Sequence, residues 1–578
     1  MDNKDIANIF LRIADMLEIK NENVFRVRAY RNAAQNIMAL ARPLKDIHEE
    51  DPSLLDNIPG IGKDLKSKII EMVGTGELGY YDDLMKEFSP GFLEMLNLGG
   101  LGPKKIKKLR DELGIENIDA LEKACMKGKL ADIEGMGART EEKLLEAIEY
   151  FRKKQGRMLL QEADEYADEI VAYLKESGNF KKIEKAGSLR RGRETVGDLD
   201  ILTTAKDAEK AMEYFVGYFG VDSVIAQGPT KSSVLLKAGH QVDLRVVDDA
   251  SFGAALVYFT GSQQHNIKIR KLAKNKGYKV NEYGVFLIGK TGKERKIAGK
   301  TEQDVYKKLD MEWVPPELRE DNGEVEAARD GTLPQDLVQL KDIKGDLHIH
   351  STETDGRATV QESVEAAIRK GYKYIAITDH SKHVKIANGM DDKRILKHTE
   401  RVRKLNQKTK GIEILMGVEV DILDEGKLDF SDSVLKEMDI VIAAVHSRFS
   451  LDLETQTRRI LNALDNKYVN ILAHPSGRLI TTRKPISLDF DRVFKKAAEN
   501  GVFLEVNTHG ERIDLNAANC RRALELGAKV VIGTDSHEVE QLDYMKYGVI
   551  TARRGWVSRK DVLNTYSFDK MVKALKRA

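Results

Sequence analysis

Cysteine is nearly missing from this chain: 578 residues carry only Cys125 and Cys520. Two distant thiols exclude a disulfide framework and a cysteine-rich zinc site, and a reducing cytoplasm is the default compartment. Long apolar runs are missing too, which excludes a spanning helix. The start, Met1-Asp2-Asn3-Lys4-Asp5, is polar and leads into an amphipathic helix, so no signal peptide is expected. Nor is there an excess of either charge: 94 Lys and Arg face 93 Asp and Glu, a net of +1. No global basic signal announces nucleic acid, although a near-zero sum can hide opposed modules. What is present is 41% hydrophobic and 32% charged residues, in a chain too long for one core. Several globular domains with charged surfaces are expected. Histidine is scarce early and common late: nine of the 12 follow residue 340, which points to metal binding in the C-terminal part.

Residues 5–47 predict helices, with Ile6, Ile9, Phe10, Ile13, Ala14 and Leu17 at helical spacing. The stretch from Val24 to Ala34 is basic with an interleaved aromatic, as on an amphipathic helix with a charged face. One pattern then occurs three times: Ile58-Pro59-Gly60-Ile61-Gly62-Lys63, Leu98-Gly99-Gly100-Leu101-Gly102-Pro103-Lys104 and Ile133-Glu134-Gly135-Met136-Gly137-Ala138-Arg139. The paired glycines (Gly60 and Gly62, Gly100 and Gly102, Gly135 and Gly137) permit a tight hairpin. Amides at the following helix start can then grip a phosphate backbone without reading sequence. One copy would be an ordinary turn; three favour helix-hairpin-helix DNA binding.

Gly187-Ser188-Leu189-Arg190-Arg191-Gly192 precedes Gly197-Asp198-Leu199-Asp200-Ile201-Leu202. On a strand, Asp198 and Asp200 project from the same face, a costly placement unless cations lie between them. Two divalent cations held by carboxylates are what phosphoryl transfer to a hydroxyl requires, and Arg191 can neutralise a phosphate. Asp243, among apolar neighbours in Gln241-Val242-Asp243-Leu244, offers a third carboxylate. Tyr258-Phe259-Thr260-Gly261-Ser262 puts an aromatic pair before a glycine turn, and Asn266 and Arg270 follow on a helix.

Together these motifs resemble the family X DNA polymerases over roughly residues 1–316. The resemblance implies that Asp198, Asp200 and Asp243 bind two Mg²⁺ ions, one activating the primer 3′-hydroxyl and one neutralising the triphosphate. It further implies that Ser188, Arg191 and Gly197 hold phosphates, and that Tyr258, Phe259 and Gly261 line the sugar pocket. Asn266 would face the base and Arg270 the template. Domains follow: a helix-hairpin-helix module over 1–85, a second DNA-binding one over 86–150, an α/β nucleotidyltransferase palm over 151–247 and an α+β thumb over 248–316. A family lyase lysine maps onto Lys68, and Arg26 and Tyr30 fall where a 5′-phosphate is bound. Asp64 departs from the family pattern, standing where a phosphate-binding lysine is expected.

Residues 317–341 are acidic and poor in apolar side chains, which predicts an exposed linker. Beyond them, over 342–578, helices alternate with short apolar strands, most ending in a metal donor. Asp346-Leu347-His348-Ile349-His350 opens the series, followed by Asp355, His380, Glu419, His446, His474, Asp535 and His537. Nine N and O donors at equivalent strand ends describe the active face of a parallel barrel. This half resembles the PHP domains, a distorted (β/α)₇ barrel with up to three ions. That resemblance groups His348, His350, Glu419 and Asp535; Asp355, His380 and His537; and Glu419, His446 and His474. The Asp at 355 shifts its site towards Mn²⁺ rather than Zn²⁺. Arg448 and Arg478 are candidate phosphate binders.

The sequence therefore predicts a gap-filling repair polymerase joined to a metal-dependent 3′→5′ exonuclease, which could also remove 3′-phosphates or cut at abasic sites. Expected partners are gapped or nicked duplex DNA and dNTPs, with no membrane, for a cytoplasmic monomer. A small-molecule phosphatase in the C-terminal half is one alternative; a DNA-end-binding scaffold is another.

Overall fold

The computed structural model describes all residues except 2, 39, 41–43, 97, 99, 100, 132, 134, 155, 156, 290, 291, 577 and 578. The chain divides into two compact units. The first holds Met1–Gln155 with His350–Glu362 and Leu479–Lys484; the second holds Gly156–Ile349, Ser363–Arg478 and Pro485–Ala578.

The N-terminal part of the first unit is helical. Of the residues whose spacing marked its inner face, Asn3–Ile19 buries Ile6, Phe10, Ile13, Ala14 and Leu17 and partly buries Ile9. Lys63–Thr75 and Pro103–Leu113 each start directly after the second glycine of a repeat, with Gly62 and Gly102 as N-caps. In each repeat the apolar residue between the glycines is buried: Ile61, Leu101 and Met136. The hairpins are thus pinned by one side chain to a common core, while Gly60, Gly62, Gly102, Gly135 and Gly137 stay exposed. Gly60 and Gly135 have φ of +77° and +84°, which only glycine adopts without cost.

The second unit begins with a five-stranded sheet ordered Phe180–Lys185, Asp198–Ala205, Gln241–Val246, Lys231–Leu236, Val221–Gln227. Asp198–Ala205 and Gln241–Val246 run parallel at its centre; the other pairings are antiparallel. Phe252–Thr260 and Gln263–Asn275 follow, joined through Gly261 and Ser262, and then a three-stranded antiparallel sheet.

The expected linker is only partly exposed. Pro316–Leu318 forms a 3₁₀ turn and Glu324–Asp330 a helix, and Leu318, Val325, Ala328, Leu333 and Leu337 are buried in one core with Val257, Ile269, Val305 and Tyr306. Two of its acidic residues have partners within the fold. Glu324 lies 2.6 Å from His265 Nδ1, and Glu317 pairs with Arg553 at 2.7 Å.

Seven parallel strands complete the unit in sequential order: Gly345–Ile349, Tyr374–Ile377, Glu413–Asp421, Ile440–Ala444, Ile471–Leu472, Phe503–Asn507 and Val530–Gly533. They read as near-continuous apolar runs because helices cover the sheet. A parallel bridge between Ile349 and Ser536 brings the last strand to the first, leaving a nearly closed barrel.

Candidate active sites

In the central sheet the register pairs Asp200 with Asp243 and Asp198 with Gln241. Strand alternation therefore places the three carboxylates on one face, Asp198 exposed and Asp243 buried. Asp200 is pushed up to about 7, first by burial and then by repulsion from Asp198 and Asp243. Asp243 is instead held below the usual carboxylate range. Burial opposes this, but Lys231 Nζ lies 2.9 Å from one oxygen and Gln241 Nε2 donates to the other at 2.8 Å. Neither supporting residue was picked out in the sequence. Gln241 carried a signal, two positions before Asp243 on the same strand face; Lys231 carried none, because it arrives on a neighbouring strand.

Gly187 is fixed by Asp200. It has φ +59°, and a Cβ there would lie 2.2 Å from Asp200 Oδ2. The turn holding Ser188 thus closes directly over Asp200. Gly197 is similarly confined, its Cβ position 2.9 Å from Arg157 Nη1. Arg191 uses Nε on Glu320 Oε1 at 3.0 Å and Nη1 on the Thr260 carbonyl at 2.5 Å. Gly261, φ +72°, leaves room for that guanidinium, which lies 3.1 Å from its Cβ position. Arg190 forms a two-pronged pair with Glu302 at 2.8 and 2.9 Å and reaches Thr260 Oγ1 at 2.6 Å. Glu302 also accepts from buried Arg319 at 2.7 Å. Although burial disfavours its charge, these two arginines bring Glu302 down to about 2.

Phe259 lies under the Arg245 guanidinium at 4.3 Å, and Tyr258 is partly exposed. Asn266 spends an amide hydrogen on the Tyr258 carbonyl at 2.7 Å, so it ties the two helices together. Arg270 is exposed and donates to the Asn266 carbonyl at 3.3 Å.

In the first unit, Gly100 lies outside the described residues. Lys68 is largely buried and ion-paired with Asp64 at 2.5 Å, with Tyr80 beneath its ammonium at 5.0 Å. Arg26 reaches the Tyr80 hydroxyl at 3.0 Å. Tyr30 does not fit the expected 5′-phosphate contact: it is 1% exposed, with its ring against Phe10 and Tyr80. It shares the buried helix face with Val27, Ala33, Ala34 and Ile37, and that spacing assigns it to the core.

At the barrel's strand ends, three groups of donors each converge within 4.8 Å: His350, Asp355, His380 and His537; His348, His350 and Asp535; and His380, Glu419 and His446. Glu419 is the hub. Its oxygens lie 2.8 Å from His380, 2.9 Å from His474, 3.4 Å from His446 and 3.7 Å from His348. Burial would raise this carboxyl, but the imidazoles hold it well below its ordinary value. Imidazole and carboxylate at this density suit borderline and hard divalent cations. Around them stand carboxylates not foreseen as site residues. Glu505 accepts from His348 Nδ1 at 2.6 Å and from the His474 amide at 2.8 Å; Asp421 lies 3.3 Å from His446 Nδ1. Such partners fix the ring orientation and tautomer of a ligating histidine. Glu505 had a faint signal, polar positions alternating in Phe503-Leu504-Glu505-Val506-Asn507. Asp379 lies 3.2 Å from buried His398. Arg478 grips Glu194 at 2.8 and 3.0 Å, a partner that a phosphate would have to displace. Arg448 is exposed beside Asp424 at 2.9 Å.

Comparison with known proteins matches these regions separately. Residues 1–78 fit a helix-hairpin-helix domain, 92–149 a SAM-like helix-hairpin-helix tandem, 255–320 the DNA polymerase beta thumb, and 346–509 the PHP domain. A DNA polymerase/3′-5′ exonuclease PolX of Bacillus subtilis is 40% identical over 579 residues, covering 100% of both chains. Probable phosphatases match about a third of this chain. One from Thermoanaerobacter pseudethanolicus is 32% identical over 38% of this chain and 89% of its own. Another, from Acetivibrio thermocellus, is 34% identical over 33% and 78%. Among the described residues no helix is long and apolar enough to cross a membrane.

Proposed function

The chain belongs to the family X DNA polymerases that carry a C-terminal PHP domain, and from that premise we propose that it fills gaps in duplex DNA and trims 3′ ends hydrolytically. The observation that carries this reading is the presence in one chain of two differently built cation-competent centres, a carboxylate trio on a sheet and a ring of imidazoles and carboxylates in a barrel. Asp198, Asp200 and Asp243 would hold Mg²⁺. His348, His350, Asp355, His380, Glu419, His446, His474, Asp535 and His537 would hold up to three ions, with Mn²⁺ favoured over Zn²⁺ by the oxygen donor at 355. When bound, the ions supply charge neutralisation at the triphosphate and an acidified water at the barrel.

The protein's own groups do the rest. Ser188 and Arg191 orient the triphosphate, and the Tyr258–Gly261 corner receives the sugar. Asn266 serves the base, and Arg270 meets the template. The exposed glycine hairpins hold the duplex backbone by amide contacts that ignore sequence. We take the enzyme to work in the cytoplasm as a monomer. Lysine 68 as a lyase nucleophile is disfavoured by its ion pair with Asp64.

The test uses gapped duplex and the full chain. Asp200→Ala is expected to abolish nucleotide addition and leave Mn²⁺-dependent 3′ shortening; His350→Ala is expected to do the reverse. Synthesis surviving Asp200→Ala would refute the polymerase assignment, and shortening that survives His350→Ala would refute the barrel centre. The phosphatase relatives favour one second reading, a phosphomonoesterase. Release of phosphate from a 3′-phosphorylated primer or a small phosphate ester, without shortening of a 3′-hydroxyl end, would select it.

A further inference from the structure

One barrel helix reaches the nucleotide turn. Met545–Arg554 packs against Gly192, the last residue of the Gly187–Gly192 segment. Gly192 has φ +63°, and a Cβ there would lie 2.1 Å from Ile550 Cγ2 and 3.6 Å from Arg554 Cδ. Position 192 is therefore glycine for two reasons, its backbone conformation and the barrel side chain seated on it.

Arg554 closes this contact with two hydrogen bonds. Its Nη1 donates to the Arg191 carbonyl oxygen and lies 3.1 Å from Glu320 Oε1. The same Glu320 oxygen accepts from Arg191 Nε at 3.0 Å. Arg554 thus fixes the main chain of Arg191 directly and its side chain through Glu320. All three side chains are largely buried, at 9%, 13% and 13% exposure for Arg554, Glu320 and Arg191. With Arg193 at 3.5 Å from the other Glu320 oxygen, one carboxylate is shared by three guanidinium groups. The carboxylate orients Arg191 while the cluster keeps net positive charge, as an anion site requires. With Nε and Nη1 engaged, Nη2 is the nitrogen of Arg191 that has no hydrogen-bond partner among the described residues.

We infer that Arg554, a side chain of the barrel half, is a positioning residue for nucleotide addition: with Glu320 it aims Arg191 at the incoming triphosphate. The inference rests on the reading of Arg191 as a phosphate ligand. It makes the barrel a structural part of the polymerase site in addition to its own chemistry.

The experiment measures steady-state gap filling by the full chain, varying dNTP. Arg554→Gln is expected to raise the KM for dNTP about tenfold, the worth of one charge-assisted hydrogen bond, with kcat within about twofold. Arg554→Lys should recover part of the loss. Glu320→Gln, which keeps the side chain's shape, should raise the same KM and provides a readout if Arg554→Gln folds poorly. An unchanged dNTP KM in both Gln variants overturns the inference, as does a fall in kcat matching the fall in melting temperature, which marks a merely structural contact. Arg191→Lys separates the two claims. If it leaves the dNTP KM unchanged, the phosphate-ligand reading fails; if it raises KM while Arg554→Gln and Glu320→Gln do not, only the positioning role fails.

Discussion

The two cation-competent centres solve one electrostatic problem in opposite ways. The sheet site collects three like charges, and the protein supplies only partial relief: Lys231 and Gln241 serve Asp243, and Asp200 is left raised to about 7. The barrel site interleaves imidazoles with carboxylates, so that Glu419 is stabilised by its own neighbours, and an outer set of carboxylates braces the rings. The first is a site that depends on its cations to be electrostatically complete. The second is organised by the protein itself, which suits ions that remain bound between turnovers. Held that way, the difference gives measurable contrasts.

The largest expected effect comes from Gly187→Ala. Its methyl would collide with Asp200 Oδ2, and displacing that carboxylate by about 1 Å should cost at least about 100-fold in nucleotide addition. Nuclease activity measured on the same preparation should persist. Parallel loss of both would mean that the two centres are not independent. Next is Glu505→Gln. Removing the charged brace of His348 should weaken barrel cation binding by about 10–100-fold, read by Mn²⁺ titration of nuclease activity, with synthesis in Mg²⁺ intact. If affinity holds, the barrel is not braced as described.

The smallest effect is on stability. Asp200 binds its proton more tightly folded than unfolded, so between its ordinary value near 3.8 and its folded value of about 7 the native state carries the extra proton. Stability contributed by the protonated form is therefore full below that window and lost as pH rises through it. In chelator-treated protein the melting temperature should fall by a few degrees more between pH 5 and 8 than in Asp200→Asn, and Mg²⁺ should restore more at pH 8 than at pH 5. An equal pH response in both proteins would remove Asp200 as the titrating group.

These contrasts also explain what the sequence could reveal. Asp198, Asp200 and the barrel donors were legible because strand periodicity and the repeated strand-helix rhythm place them without tertiary knowledge. Lys231 and Glu505 were not, since each acts across to a neighbouring strand or a distant one. The acidic stretch after residue 316 misled for the same reason. Glu317, Glu320 and Glu324 look like a solvated run in one dimension. In the fold each meets a cation or an imidazole from far along the chain: Arg553, Arg191 with Arg554, and His265. Composition registers charge but not its partner. Tyr30 shows the converse, an aromatic in a basic stretch whose helical spacing already marked it as core.

The segment between residues 316 and 341 bears on how this molecule can be divided. A cut placed before Arg319 to isolate either half would strip Glu302 of Arg319 and His265 of Glu324, leaving buried ionisable groups without their counterparts. Fragments would have to keep the segment with the thumb, and the sheet would still lose the Ile550 surface beneath Gly192. Exchanging one half for a relative's would therefore have to carry both sides of that seam, Gly192 with Ile550 and Glu320 with Arg554, to keep these contacts.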